Sequence, residues 1–391
     1  MCSSDLKTCT FFVLLLGLAL LGTPAPSSHA EDEPLRIGVS LGLTGRFEVM
    51  SDALHKGFRL WEDHVCRRGG IRGRPVRVIV EDDLSDPERA RRLYRTFLEE
   101  KRVDFLFAPY SSLITEAVLP IAEEHRCPIL IAGAAADRLW EQGFRYAVGV
   151  YTPASKFATG FLELLVWQGI DRIAVLHADD SFSLDLAAGT KTWAARFGLE
   201  VVLLQGFPKG TEELEPYVLE AKKRGARALL SCGHMNEAVR ICRALKGVGW
   251  NPEAYYASVG PAHRAFFEAC GCEAEGTFGT SLWEPRADFP GAKDFERDFI
   301  ERYGESPGYH AGLAYAAGQV LEAAVLEARS VDRERVRSAL FQLDTMTIIG
   351  RFGVDAGGKQ VRQQTFIIQW QDGERELVWP EELRTSAPRF P

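Results

Sequence analysis

Leu35-Arg36-Ile37-Gly38-Val39-Ser40-Leu41 is a short, mostly apolar run that stops at a glycine-containing loop, Gly42 to Phe47. It reads as a buried strand. Directly after the loop, residues 52–68 place Leu54, Phe58, Trp61 and Val65 at spacings of three and four, the pattern of one buried helix face. The alternation then continues. Residues 76–80 read as a strand. Asp86-Pro87-Glu88 opens a helix to about 100, with Asp as cap and Pro in the first turn. Strands at 103–107 and 128–132 flank a helix at 114–124. From Tyr151-Thr152-Pro153 the same rhythm restarts, with helices at 156–168, 183–197, 213–224 and 237–246. The strands between them fall at 172–177, 200–205, 226–231 and 254–258. Such βαβα series predict an α/β fold of two units, each a parallel sheet covered by helices.

The last third is more helical, at 288–303, 310–328 and 331–340. Thr347 to Gly353 and a strand at 365–370 follow. Gln371-Asp372-Gly373-Glu374 is a hairpin turn into a final strand, and the tail over 381–391, with prolines at 388 and 391, is expected to be loose.

The chain has 391 residues, 46% hydrophobic and 26% charged, the composition of an ordinary globular protein too long for one small domain. Its formal charge of −8 argues against a nucleic-acid surface. At the start, Lys7 precedes an apolar run from Phe11 to Leu21, then Pro24, Pro26 and the small-residue end Ser28-His29-Ala30. That reads as a cleavable signal peptide over 1–30, with an apolar run too short to span a bilayer, and predicts export; the alternative is a membrane anchor left uncleaved. In an oxidising compartment Cys66, Cys127, Cys232, Cys242, Cys270 and Cys272 remain open to pairing. A Cys232–Cys242 bridge and buried free thiols are both compatible with the spacing.

Catalytic signatures are missing. There is no GxSxG elbow, P-loop, HExxH or zinc-type cluster, and Gly45-Arg46-Phe47 lacks dinucleotide-binding spacing, so no cofactor or metal is expected. Glu81-Asp82-Asp83 and Asp179-Asp180 are the acidic clusters from which an exported enzyme would have to draw paired carboxylates; helix capping is their commoner use.

Several segments, in order, resemble the leucine/isoleucine/valine-binding family of type I periplasmic binding proteins. They are Ile37 to Leu41 with Leu43-Thr44-Gly45 and Gly57; Arg68-Gly69-Gly70-Ile71-Arg72-Gly73-Arg74-Pro75-Val76; Glu81-Asp82-Asp83 with Asp86-Pro87; Pro109-Tyr110-Ser111-Ser112; and Tyr309 to Tyr315. The resemblance spans essentially the whole chain after the signal. It implies two Rossmann-like lobes joined by three hinge crossovers and closing on a ligand. Lobe one would hold 34–149 and 281–348, and lobe two 151–280 and 349–380.

The resemblance also implies site residues. Tyr110, Ser111 and Ser112 form the turn that grips a ligand carboxylate, where hydroxyls and helix N–H groups converge. Ala134 offers a backbone contact, while Ala136 stands where the family carries a Ser/Thr hydroxyl. Phe182 and His234 fall at cleft aromatics of the second lobe. Tyr151, Trp283 and His310 are further cleft candidates.

Val259, followed by Gly260, occupies the position at which amino-acid binders of the family place an acid for the ligand ammonium. A buried ammonium without a carboxylate is costly, so the departure predicts a ligand lacking it: an aromatic or aliphatic acid, or an amide. Asp179, Asp180 or Glu284 are the residues that would restore an amino-acid ligand. The implied role is stoichiometric capture by a periplasmic monomer that hands a small molecule to the membrane permease of an ABC importer. The alternatives are a sensor subunit with the same clamp, and an exported enzyme using the acidic clusters.

Overall fold

The computed structural model describes residues 33–391; the signal peptide expected over 1–30 lies outside them. The first series is β1 (Leu35–Leu41), α1 (Glu48–Arg67), β2 (Val76–Asp82), α2 (Pro87–Glu99), β3 (Phe105–Phe107), α3 (Ser112–Glu124), β4 (Ile129–Ile131) and β5 (Ala147–Gly149). The second is α4 (Thr159–Gln168), β6 (Arg172–Ala178), α5 (Ser181–Arg196), β7 (Glu200–Phe207), α6 (Glu215–Lys223), β8 (Ala228–Cys232), α7 (Met235–Gly247), β9 (Ala254–Ala257), α8 (Arg264–Cys270) and β10 (Phe278–Ser281). Then come α9 (Ala292–Tyr303), α10 (Tyr309–Ala328), α11 (Arg333–Gln342), β11 (Thr345–Thr347), β12 (Gly350–Phe352), β13 (Phe366–Gln371) and β14 (Glu374–Trp379).

The first sheet is wholly parallel, in the order β2-β1-β3-β4-β5. The second runs β14-β13-β10-β9-β8-β6-β7; β6 to β10 are parallel and β13 and β14 are antiparallel additions. The two sheets are the cores of two lobes. The chain crosses between them after β5, after β10 and before β13. No described helix is long and apolar enough to cross a membrane.

Local chemistry explains the element ends. Asp86 accepts the N–H of Arg89 at 2.6 Å, and Pro87 occupies the first helical position, so α2 starts where expected. The two-residue turn of β13–β14 has φ of 56° at Asp372 and 79° at Gly373, which is why Asp-Gly stands there. Helix α10, although late in sequence, belongs to lobe one because it packs on α1. A Cβ on Gly57 would lie 2.2 Å from the Ala311 carbonyl oxygen, and one on Gly318 would lie 2.0 Å from the Trp61 ring. Only glycine allows that approach.

Three expectations are corrected. Helix α9 starts at 292 rather than 288, because Asp288 and Gly291 take left-handed conformations. The stretch from 349, expected to lie with lobe two, first runs along lobe one. There Gly149 N–H donates to the Gly358 carbonyl at 2.8 Å, and Lys359 pairs with Asp137 at 3.2 Å. The tail is not loose. Gln369 and Gln371 of β13 bind the carbonyls of Arg389 and Ala387 at 2.6 and 2.9 Å, and Phe390 packs 5.3 Å from the Phe278 ring. All six cysteines of the described chain are free thiols, and Cys242 lies beside Cys270 rather than pairing with Cys232.

Candidate functional site

In each sheet the strand order reverses direction once, between β1 and β3 in lobe one and between β6 and β8 in lobe two. Loops leaving the carboxyl ends of such strand pairs diverge and leave a crevice. The β1 loop carries Phe47, the β3 loop carries Tyr110 and Ser111, the β6 loop carries Asp180, and the β8 loop carries His234. The two crevices face each other, and these residues meet between the lobes.

On the lobe-one side, Ser111 caps α3 in an extended conformation. Its hydroxyl is buried and has no hydrogen-bond partner. The first N–H groups of α3 have no intrahelical acceptor and carry the positive end of the helix dipole. Ser112 is used differently. Its Oγ accepts the N–H groups of Ala135 at 3.1 Å and Ala136 at 3.0 Å, which ties the β3 and β4 loops together. The β4 loop presents Ala134, and the first crossover presents Tyr151.

On the lobe-two side, Asp180 caps α5 by accepting the N–H of Ser183 at 3.1 Å. Its carboxylate also takes the Lys209 ammonium at 2.6 Å and lies 3.6 Å from Nε2 of His234. Burial alone would raise this carboxyl; His234 and Lys209 outweigh it and hold it well below the usual carboxylate range. His234 caps α7, and its backbone N–H donates to Glu237 at 3.0 Å.

The lobes touch across the cleft. The Tyr110 hydroxyl lies 3.1 Å from Nδ1 of His234. The Phe47 ring packs 5.3 Å from His234 and lies 5.4 Å from the Lys209 ammonium. At the rim, the Arg138 guanidinium and backbone N–H grip Asp185 at 2.7 and 3.1 Å. This is a closed clamp. The space left between the lobes is only about 10 Å³, far below the roughly 300–1,000 Å³ of typical ligand pockets, so a ligand enters with the lobes apart. A larger, open groove on lobe two, lined by Cys242, Trp250 and Tyr255 among others, draws on one lobe only and holds none of these groups.

Eight of the twelve expected residues line the cleft cavity: Tyr110, Ser111, Ser112, Ala134, Tyr151, Phe182, His234 and Val259; Gly133 and Ala135 complete the wall. Four do not. Ala136 gives its N–H to Ser112. Gly260, at φ 130°, turns the chain against Met235, Ala238 and Phe266. Trp283 packs on Gly312 and Phe295 in the lobe-one core.

His310 stands one layer back, 5.3 Å from the Tyr110 ring, with Nε2 3.4 Å from the Tyr151 hydroxyl and Nδ1 2.8 Å from Nε2 of His263. Burial first, and then Arg375, pushes His263 down to about 4; burial, His263 and His234 hold His310 well below the imidazole range. Lys209, Phe47 and His263 were not singled out from the sequence. Only the loop position of Phe47 offered a signal.

Among the described residues, no carboxylate lines the cavity. Asp179 accepts the backbone N–H of Lys209 at 2.7 Å, Asp180 is paired as described, and Glu284 faces Arg375 at 3.5 Å. The other acidic cluster is also engaged: Glu81 pairs with Lys101, Asp82 accepts from Thr44, and Asp83 accepts from Ser40. Among the described residues, no group of His, Cys, Asp and Glu is arranged to hold a metal ion.

Two hinged α/β lobes with a walled cavity between them define a solute-binding clamp. The family model for periplasmic binding proteins matches residues 34–375, and the chain belongs to that family. It is similar to Leu/Ile/Val-binding protein homolog 7 of Brucella suis biovar 1 (strain 1330), at 26% identity, covering 95% of this chain and 97% of that relative. The fold matches the branched-chain amino acid transporter substrate-binding protein LivJ of Streptococcus pneumoniae, solved with isoleucine, at TM-score 0.79 and 20% identity, over 89% of this chain and 100% of that one. It also matches a solute-binding protein of R. palustris solved with benzoate, at TM-score 0.77 and 18% identity, over 88% and 95% of the two chains.

Proposed function

We propose that this protein captures a small carboxylic acid with an apolar or aromatic body and no α-ammonium, in the periplasm, as a monomer, and delivers it to the permease of an ABC importer. One observation carries the ligand class. The cavity offers donors to an anion, from the Ser111 hydroxyl and the N-terminus of α3, and no free carboxylate to a cation. Tyr110, Tyr151, Phe182 and Val259 supply the apolar walls. An ammonium held there would be desolvated without a partner.

The role is binding rather than catalysis: the carboxylates an enzyme would need are paired or capping helices. Ligand would bridge the lobes, stabilise the closed form and present it to the membrane partner. That similar folds hold isoleucine in one protein and benzoate in another agrees with a scaffold whose wall chemistry selects the ligand.

A thermal-shift panel on the chain from Glu31 tests this reading. An acid present at 100 times its Kd should stabilise the fold by about 2.7 kcal/mol, visible as a raised Tm. Shifts with benzoate, phenylacetate or 3-methylbutanoate and none with leucine or isoleucine support the assignment. Shifts with the amino acids alone overturn it.

A further inference from the structure

We infer that Cys242 and Cys270 form a covalent modification site, which an external disulfide oxidises to a bridge stapling α7 to the end of α8. The inference is independent of the ligand, and it draws on export only for the oxidant met in the cell.

Three of the six cysteines of the described chain, Cys242, Cys270 and Cys272, gather at one junction of lobe two. Cys242 lies midway along α7, and Cys270 is the last residue of α8. Contacts on either side fix the two segments together. The Arg243 guanidinium donates to the Ala269 carbonyl at 2.8 Å. Cys242 Sγ reaches the Glu273 carbonyl oxygen at 3.1 Å, and Lys246, one turn further along α7, pairs with Glu273. The residue after Cys242 thus holds the residue before Cys270, while Cys242 itself reaches three residues past it. Between these contacts the two buried thiols meet. A hydrogen bond from Cys242, aided by Arg243, outweighs burial and lowers the Cys270 thiol; the same bond, with burial, raises that of Cys242. The thiolate is the attacking form, so Cys270 is the nucleophile of the pair.

An oxidant reaches the pair through Cys272. That thiol is exposed and shares with Cys242 the open groove lined by Trp250 and Tyr255. The Cys272 thiolate attacks one sulfur of the external disulfide, which leaves a mixed disulfide and releases one thiol. The Cys242 thiolate attacks the Cys272 sulfur and expels the second external thiol. The Cys270 thiolate then attacks the Cys242 sulfur and frees Cys272. The net change is one external disulfide reduced to two thiols and one protein disulfide formed from two thiols.

The bridge acts on the clamp through its two helices. At their other ends, Met235 and Ala238 of α7 and Phe266 of α8 close around Gly260, next to Val259 of the cavity wall. Tying the far ends holds the His234 and Val259 side of the cleft as one unit.

The purified chain from Glu31 tests this, fully reduced and then equilibrated with a mixture of oxidised and reduced glutathione. Free thiols are trapped with N-ethylmaleimide in denaturant and the digest is mapped without reduction. Four of the six cysteines should be alkylated, and the peptide holding Cys242 should be linked to the one holding Cys270 and Cys272, with fragmentation between those two placing the bond on Cys270. Oxidised protein should melt about 5 °C above reduced protein, because the bridge closes a loop of about 30 residues. Cys272→Ala should give the same bond more slowly. Cys270→Ala should lose both the bond and the gain in Tm; if that variant fails to fold, the wild-type fragments decide. Six alkylated thiols, or a final bond from Cys242 to Cys272, overturn the inference and leave the binding role untouched.

Discussion

The Tyr110 hydroxyl and Nδ1 of His234 stand 3.1 Å apart on opposite lobes, and both side chains are buried. This bond joins the loops leaving β3 and β8, the two switch points that form the cleft. It is made only when the clamp closes. Tyr110→Phe keeps the ring and its packing but removes the bond. The expected result is a ligand affinity lower by about 1 kcal/mol, roughly fivefold. The Tm of the ligand-free protein should barely move. Titration calorimetry and a melting curve check both parts.

The adjacent serines should separate by phenotype. Ser111→Ala removes an unspent hydroxyl from the cavity, so carboxylate affinity should fall about tenfold with little change in stability. Ser112→Ala leaves the N–H groups of Ala135 and Ala136 without their acceptor. Unfolding free energy should fall by about 1–3 kcal/mol. Denaturant melts with and without ligand distinguish the two.

Arg138 holds Asp185 across the rim with its guanidinium and backbone N–H. Arg138→Ala should shift the ligand-free protein toward an open clamp. The pair is partly solvated, so its contribution is modest, about 1 kcal/mol. Solution X-ray scattering should show a larger radius of gyration, and affinity should drop several-fold because closure is no longer assisted.

Asp83 is buried beneath β1. Burial outweighs its hydrogen bonds from Ser40 and Ser85 and raises its carboxyl from 3.8 to about 6. Between those values the folded chain keeps a proton that the unfolded chain has lost. The contribution of Asp83 to stability therefore falls as pH rises from about 4 to about 6, then stays constant. At neutral pH the charged form costs about 2–3 kcal/mol. Asp83→Asn keeps an acceptor for Ser85 and lets Ser40 reverse its bond. It should be more stable than wild type at pH 7, with the difference vanishing near pH 4 in urea melts.

The two α/β series were legible because buried strands and one-sided helices leave periodic apolar marks, and Asp86-Pro87 and Asp372-Gly373 are local devices. The cleft was legible wherever a residue sits directly on a switch-point loop, as with Tyr110, Ser111 and His234. Trp283 and Gly260 occupy neighbouring loops but turn inward, and one step of backbone rotation is not written in a residue type. Lys209 reads as a solvated charge; its burial against Asp180 and Phe47 depends on both lobes closing. The tail looked loose because its anchors, Gln369 and Gln371, act on carbonyls more than a dozen residues away.

The central claim is a pocket for an acid without an ammonium. Titration of the ligand-free protein with benzoate and with leucine, at one pH and salt concentration, tests it most directly. Saturable heat with benzoate and none with leucine is the predicted result. Tight binding of leucine with no response to benzoate would mean that a carboxylate reaches the ammonium after all, and would contradict the account.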